Sequence, residues 1–406
     1  MHRRLLLLLA AALLAPAQTA NPAAAGMDAA RLDAIRARLR EFVQQGHISG
    51  FVTLLQRKGQ LALLDAAGFQ DVESKSPLRT DSIFQIMSMT KPVTGVAVMM
   101  MVEEGRLRLN DPVERHLPEF RGQMLIQSKT ADSRVLVKPS RPITIRDLMT
   151  HTSGLIGNPP PGIAELLRRM DRPLSEAVAI YAQHPLEFEP GTRWMYSNPG
   201  IATLGRLVEV ASGMKFEDFL DKRIFGPLGM KDSHVFLPAA KYPRLAMVYT
   251  TRENRLVKVG AEVLGGDPVK HREGAIYSGP EYSLHSTAAD LARFYQMMLN
   301  RGTLDGVRIL SPASVALMTA DHTTNIPSSG WLPSAGFGLT WEVTRDALGT
   351  LSGLSIGSFH HGGAFGTFGY IDPKRDLVGV FLIQHAGSRA DVRDAFLGMA
   401  AASVVE

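Results

Sequence analysis

Apolar residues recur at helical spacing through MDAARLDAIRARLREFVQQG, at Leu32, Ile35, Leu39, Phe42 and Val43, and predict an amphipathic helix that stops at Gly46. The period then shortens. FVTLLQRKGQLALLDAAGF contains two strand-like runs joined at Lys58-Gly59, the signature of a hairpin. Next, KPVTGVAVMMMVEEG is apolar along almost its whole length up to Gly105, so it predicts a buried helix with Ser88 at its N-terminus. Towards the other end, FGLTWEV, GTFGYIDP and LVGVFLIQ read as strands, the segment from Ser286 to about Asn300 as a capped helix, and the chain from about Ala390 as a last helix.

Between these ends the pattern changes. Helical stretches over 162–183 and 199–211 alternate with Pro- and Gly-rich connectors such as GNPPPG, EPGTRW and GPLGM. Strands at both ends and helices in the middle predict one antiparallel sheet flanked by helices and built from the two termini. A mostly helical subdomain is inserted into it. The expected division is an α/β subdomain from 27–105 and 287–406, with the helical subdomain over 106–286.

Composition adjusts this picture at three points. With 406 residues, 45% hydrophobic and 20% charged, the chain can bury a large core. A net charge of +5, with no basic run interleaved with aromatics, argues against a nucleic-acid partner. The opening MHRRLLLLLAAALLAPAQTANPAAAG places two arginines before a short apolar core and small residues. It reads as a secretory signal peptide over 1–17, with an alternative end at Ala25, and the apolar core is too short to span a bilayer comfortably. No later segment is apolar enough to cross a membrane, so no stable insertion is expected once the leader is removed. The chain has no cysteine, which excludes disulfides and Cys-based metal sites. The expected location is a bacterial periplasm or the medium.

The candidate chemistry begins at FQIMSMTKPVTG. Ser88 and Lys91 are one helical turn apart, so the amine meets the hydroxyl, and burial of Lys91 lowers its pKa towards a proton acceptor's. Free N–H groups at the helix start can receive an oxyanion. Read alone, the pattern is equally a helix cap beside a solvated lysine, and Ser212 to Lys215 is a second Ser-x-x-Lys in a polar connector. Tyr196-Ser197-Asn198 lies in a Gly/Pro-bounded loop before a helix. A tyrosine there relays protons if nearby cations depress its pKa, and an asparagine orients lysine and substrate; a packed turn is the plainer reading. His361-Gly362-Gly363 opens a Gly-rich strand that a substrate can lie against, with His361 as a hydrogen-bond donor that can carry charge. No acidic or histidine partners stand at metal-ligand spacing. One decoy is GLSIG, a literal G-x-S-x-G around Ser355 with Asp372 and His385 after it. A nucleophile elbow needs a helix next, and the Gly-rich run that follows cannot start one.

SMTK, YSN and HGG in this order resemble the three active-site motifs of the serine β-lactamase and penicillin-binding-protein superfamily. ITIRDLMTHTSGL, FEPGTRWMYSNPGIATLGRLVEVASG, IFGPLGM and LHSTAADLARF look like its class C β-lactamase-like branch, closest to the family VIII carboxylesterases. The resemblance covers nearly all of the chain after the leader. It implies an α/β sandwich with a helical subdomain and no cofactor. It also implies Ser88 as nucleophile, Lys91 as its base, Tyr196 as proton relay and Asn198 in a positioning role. The third motif, His361, Gly362 and Gly363, then faces the substrate, and the N–H groups of Ser88 and Ala364 form an oxyanion hole. β-Lactamases of this branch carry Lys where this chain has His361, which disfavours efficient β-lactam hydrolysis. The expected substrate is a small ester, with a β-lactam or a D-amino-acid peptide as alternatives. A penicillin-binding sensor that acylates without turnover is the non-enzyme alternative.

Overall fold

The computed structural model describes residues 20–260, 274–327, 335–346, 353–387 and 389–405, together with Val263, Leu264 and Pro268. The leader read over 1–17 lies outside these residues. Residues just past it belong to the fold: Asn21 N–H donates to Leu61 O at 2.7 Å, and Ala25 is buried.

One eight-stranded antiparallel sheet joins the two ends of the chain, as its alternating segments predict. Its strands are β1 (Gly50–Arg57), β2 (Gln60–Asp71), β3 (Ser76–Pro77), β4 (Ala335–Phe337), β5 (Glu342–Thr344), β6 (Phe359–Gly362), β7 (Phe368–Asp372) and β8 (Leu377–Leu382). Their order is β4-β5-β6-β7-β8-β1-β2-β3, and the pairing of β1 with β8, Val52 opposite Leu382, closes the sheet across the molecule. Lys58 and Gly59, at φ 53° and 69°, give the β1–β2 hairpin the left-handed turn it needs.

Alternation along the strands loads both faces. Phe51, Leu55, Phe368 and Phe381 meet α1 (Ala29–Gln44) and α5 (Ala390–Ala402) through Leu32, Ile35, Phe396 and Leu397. Val52, Leu54, Val378 and Val380 point the other way, into a larger core with α2 (Thr90–Glu103), α3 (Asn198–Ser212) and α4 (Ala288–Leu299). The start and end of the fold are tied together: Asp28 N–H donates to Ser403 O at 2.8 Å and Val405 N–H to Gly26 O at 3.0 Å. The buried Arg57 guanidinium gathers the carbonyls of Ala25, Gly26 and Arg375 at the same place.

Several local expectations need correction. FGLTWEV is two strands, because Thr340 at φ 67° turns the chain between them. The helix expected over 162–183 is two helices, Pro161–Arg168 and Leu174–Ala182, separated where Met170 takes a left-handed φ of 55° and Pro173 removes an N–H. The middle of the chain also contains two hairpins that were not expected, Leu125–Lys129 with Arg134–Val137 and Tyr249–Arg252 with Arg255–Lys258. His361 and Gly362 end strand β6 rather than opening a strand, and Gly363 starts the turn after it. Among the described residues no helix is long and apolar enough to cross a membrane.

Candidate active site

Ser88 sits in a single 3-10 turn, Met87–Met89, that feeds directly into α2. The turn is fixed from both sides. Ile86 N–H donates to Leu284 O at 3.0 Å, and Thr367 Oγ1 donates to Ile86 O at 3.0 Å. Thr90 Oγ1 donates to Met87 O at 2.7 Å and accepts from Leu284 N–H at 3.1 Å. Met87 itself is held at φ 50°, an unfavourable conformation for a non-glycine residue, while its side chain is buried against Val248, Val259 and Phe365. The packing imposes a backbone shape that sets Ser88 beside Lys91.

Lys91 follows one turn later. It is fully buried, its Nζ lies 2.9 Å from Ser88 Oγ, and it donates to Glu281 O at 2.7 Å. Burial brings its pKa down to about 7, against a smaller opposing pull from the Glu281 carboxylate. A neutral amine is therefore well populated at neutral pH, and that form can accept the Ser88 proton.

Tyr196 lies over this pair. Lys91 Nζ is 4.6 Å from the centre of the Tyr196 ring. Desolvation raises the pKa of its hydroxyl above the ordinary phenol value, with the Ser88 side chain acting in the other direction. The condition set from sequence, a tyrosine depressed by cations, is not met: the phenol stays protonated and presents a neutral hydroxyl to its neighbours. Its position is set by His151, which the sequence reading did not single out, although the phrase THTSGL contains it. Met195 N–H donates to His151 O at 2.9 Å, Ser197 N–H donates to His151 Nδ1 at 3.1 Å, and the His151 ring lies 4.5 Å from that of Tyr196. His151 is itself left-handed, at φ 58°.

The third motif closes the site. His361 is 2% exposed, and its Nδ1–H donates to Gly362 O at 2.7 Å, which leaves Nε2 as a neutral acceptor. Burial, then the nearby Lys91 charge, lowers its pKa to about 3. The donor that can carry charge, expected from sequence, is thus a neutral ring in the folded protein. A Cβ on Gly363 would lie 2.4 Å from Ile86 O and 2.1 Å from Thr367 Oγ1, so only glycine lets this strand end press against the Ser88 turn. Gly366 N–H closes a turn onto Gly363 O at 2.9 Å, with Ala364 at its second position. Neither the Ala364 nor the Ser88 N–H meets an acceptor among the described residues, which suits both to an oxyanion.

Other candidates fall elsewhere. The Asn198 amide donates to Asn158 Oδ1 at 2.7 Å, and the lysine contact expected of it is made by the Glu281 carbonyl instead. Ser212 ends α3 and accepts from Met214 N–H, while Lys215 is exposed. Ser355 leads into β6 with no helix after it; its N–H donates to Asp372, whereas His385 meets Thr251. Among the described residues no three His, Cys, Asp or Glu side chains form a group able to hold a metal ion.

Comparison with known proteins gives the family of the chain. Residues 35–403 match the family described as Beta-lactamase. Protein Rv1367c of Mycobacterium tuberculosis is 34% identical over 87% of this chain and 90% of its own length. Esterase EstB of Burkholderia gladioli is 28% identical over 88% and 91%. Among solved structures, EstCE1, a hydrolase with promiscuous acyltransferase activity, superposes with a TM-score of 0.74 at 25% identity, covering 92% of this chain and 98% of that one. A match this long, with a relative a third identical along almost its whole length, makes the protein a member of the β-lactamase family of serine hydrolases.

Proposed function

We propose that the protein is a carboxylesterase that cleaves short acyl esters through an acyl-enzyme on Ser88. Neutral Lys91 takes the Ser88 proton as Oγ bonds to the ester carbonyl carbon, and the oxyanion faces the N–H groups of Ser88 and Ala364. Lys91 returns its proton through the Tyr196 hydroxyl to the departing alkoxide. Water then repeats the sequence and frees the acid.

The observation that carries ester over β-lactam or D-peptide is His361, buried, neutral and presenting an acceptor. A substrate carboxylate gains nothing from it, because two acceptors repel, whereas a neutral ester makes no such demand. The names of EstB, an esterase, and EstCE1, a hydrolase, support the same reading.

The test is a panel on purified protein of p-nitrophenyl butyrate, nitrocefin and a D-Ala-D-Ala peptide. Ester turnover should dominate and vanish in Ser88→Ala. Faster release of D-alanine, or labelled penicillin held for hours without ester turnover, would replace the proposal with a peptidase or a sensor. Substituting His361→Lys should raise nitrocefin hydrolysis roughly tenfold, the value of one charge-assisted hydrogen bond. An unchanged rate would mean that position 361 does not govern carboxylate recognition.

A further inference from the structure

The loop SGPEYSL, residues 278–284, is bound to the nucleophile helix along its length. Thr94 Oγ1 donates to Pro280 O at 2.7 Å, Lys91 Nζ to Glu281 O at 2.7 Å, and Leu284 N–H to Thr90 Oγ1 at 3.1 Å. On the other side Pro280 packs onto α3 where Gly205 leaves room; a Cβ there would lie 2.1 Å from the proline ring. The loop closes on itself through Ser283 Oγ and Ser278 O, and Ser278 Oγ donates to Glu217 at 2.8 Å. This bracing places an acidic residue, Glu281, 4% exposed, directly behind the lysine. Its carboxylate accepts from Tyr277 O–H at 2.8 Å.

We propose that the Glu281 carboxylate is the fixed counter-charge of Lys91, stabilising the ammonium that forms when Lys91 takes the Ser88 proton. The inference rests on Lys91 being the base. During that step the proton moves from Ser88 Oγ to Lys91 Nζ and the Oγ–acyl bond forms, while Glu281 neither gains nor loses a proton. Among the described residues the other groups around Lys91 carry no counter-charge: Ser88 and Tyr196 are neutral hydroxyls, and burial keeps His151 and His361 neutral. Burial also pushes the carboxyl of Glu342, which acts on Tyr196, up to about 8, so it is protonated at neutral pH. Around the carboxylate stand Tyr277, Tyr181 and Tyr196, all phenols whose pKa it raises further. Glu281 acts through Lys91, so it is a positioning residue for charge rather than a catalytic one. A sequence reading passes over it because nothing in SGPEYSL marks its glutamate as different from a surface one.

The pH dependence of the acylation burst with p-nitrophenyl butyrate tests this. With Glu281→Gln the lysine loses its counter-charge, so the acid limb should move to lower pH, by roughly tenfold in proton concentration, while the plateau rate falls several-fold. Glu281→Asp should recover part of both. Tyr277→Phe, which removes the donor to the carboxylate, should move the limb the same way by less and serves if Glu281→Gln fails to fold. A reduced plateau with an unmoved limb in both variants would overturn the counter-charge role. Lys91→Ala separates the two readings: if it keeps full acylation, the base assignment fails and this inference with it. If it abolishes acylation while the limb ignores Glu281, only this inference fails.

Discussion

Burial outweighs the nearby carboxylate and brings the pKa of the Lys91 amine down to about 7, so an unprotonated form is present at neutral pH. In the proposed mechanism the neutral form is the base, so kcat/KM for an ester should climb as pH rises through about 7 and then level off. His361 is held far below that range and does not titrate there. Replacing His361→Asn should therefore leave the midpoint within a few tenths of a pH unit. A midpoint near 6 that disappears in this variant would transfer the base role to the histidine. Tyr196 would contribute in another way to the proposed mechanism: desolvation keeps it protonated, so a proton would cross it only by arriving on one side as another leaves.

The elements around Ser88 are held by contacts that tolerate little added volume. Strand β6 ends against the Ser88 turn, and the two glycines after His361 differ in what they permit. A methyl on Gly363 would collide with the Ile86 carbonyl, which belongs to backbone and cannot move without shifting Ser88. A methyl on Gly362 would meet the Phe368 ring at 3.5 Å, an ordinary contact. Gly363→Ala should cost about 2 kcal/mol or more in stability and most of the activity, by overpacking. Gly362→Ala should keep the melting temperature close to that of the parent. Thermal unfolding of the two variants checks this, and equal losses would mean that the close approach is not what constrains the turn. The same elements show what a linear reading misses. Met87 and His151 are left-handed because tertiary packing overrides local preference, and nothing in IMSMT or THTSG announces it.

Across the whole molecule, the readable part of the sequence is the part that repeats or alternates. The apolar run of α2, the paired strands at each end and the three separated motifs all rest on periodicity or on a resemblance, and the structure brings Ser88, Lys91, Tyr196 and His361 together. Contacts made by backbone carbonyls were not legible. The lysine's second partner is Glu281 O, 190 residues away, and no side-chain pattern encodes it. The tautomers of His151 and His361 were equally hidden, since each depends on which main-chain group its Nδ1 meets.

The pairing of Gly26 and Asp28 with Val405 and Ser403 makes the chain, for the purposes of the fold, a ring open at one place. Where a ring is cut is then a matter of convenience. The hairpin turn at Glu253-Asn254 is exposed and lies outside the eight-stranded sheet. A circular permutant that keeps Asn21 to Ala25, joined from Val405 to Asn21 by a Gly/Ser linker and reopened between Glu253 and Asn254, should keep every strand register and the proposed ester turnover. It would also carry Ser88 in the second half of the new polypeptide, after Tyr277, Glu281 and His361 instead of before them. An insoluble or inactive permutant would show that folding needs the β1–β2 hairpin to lead.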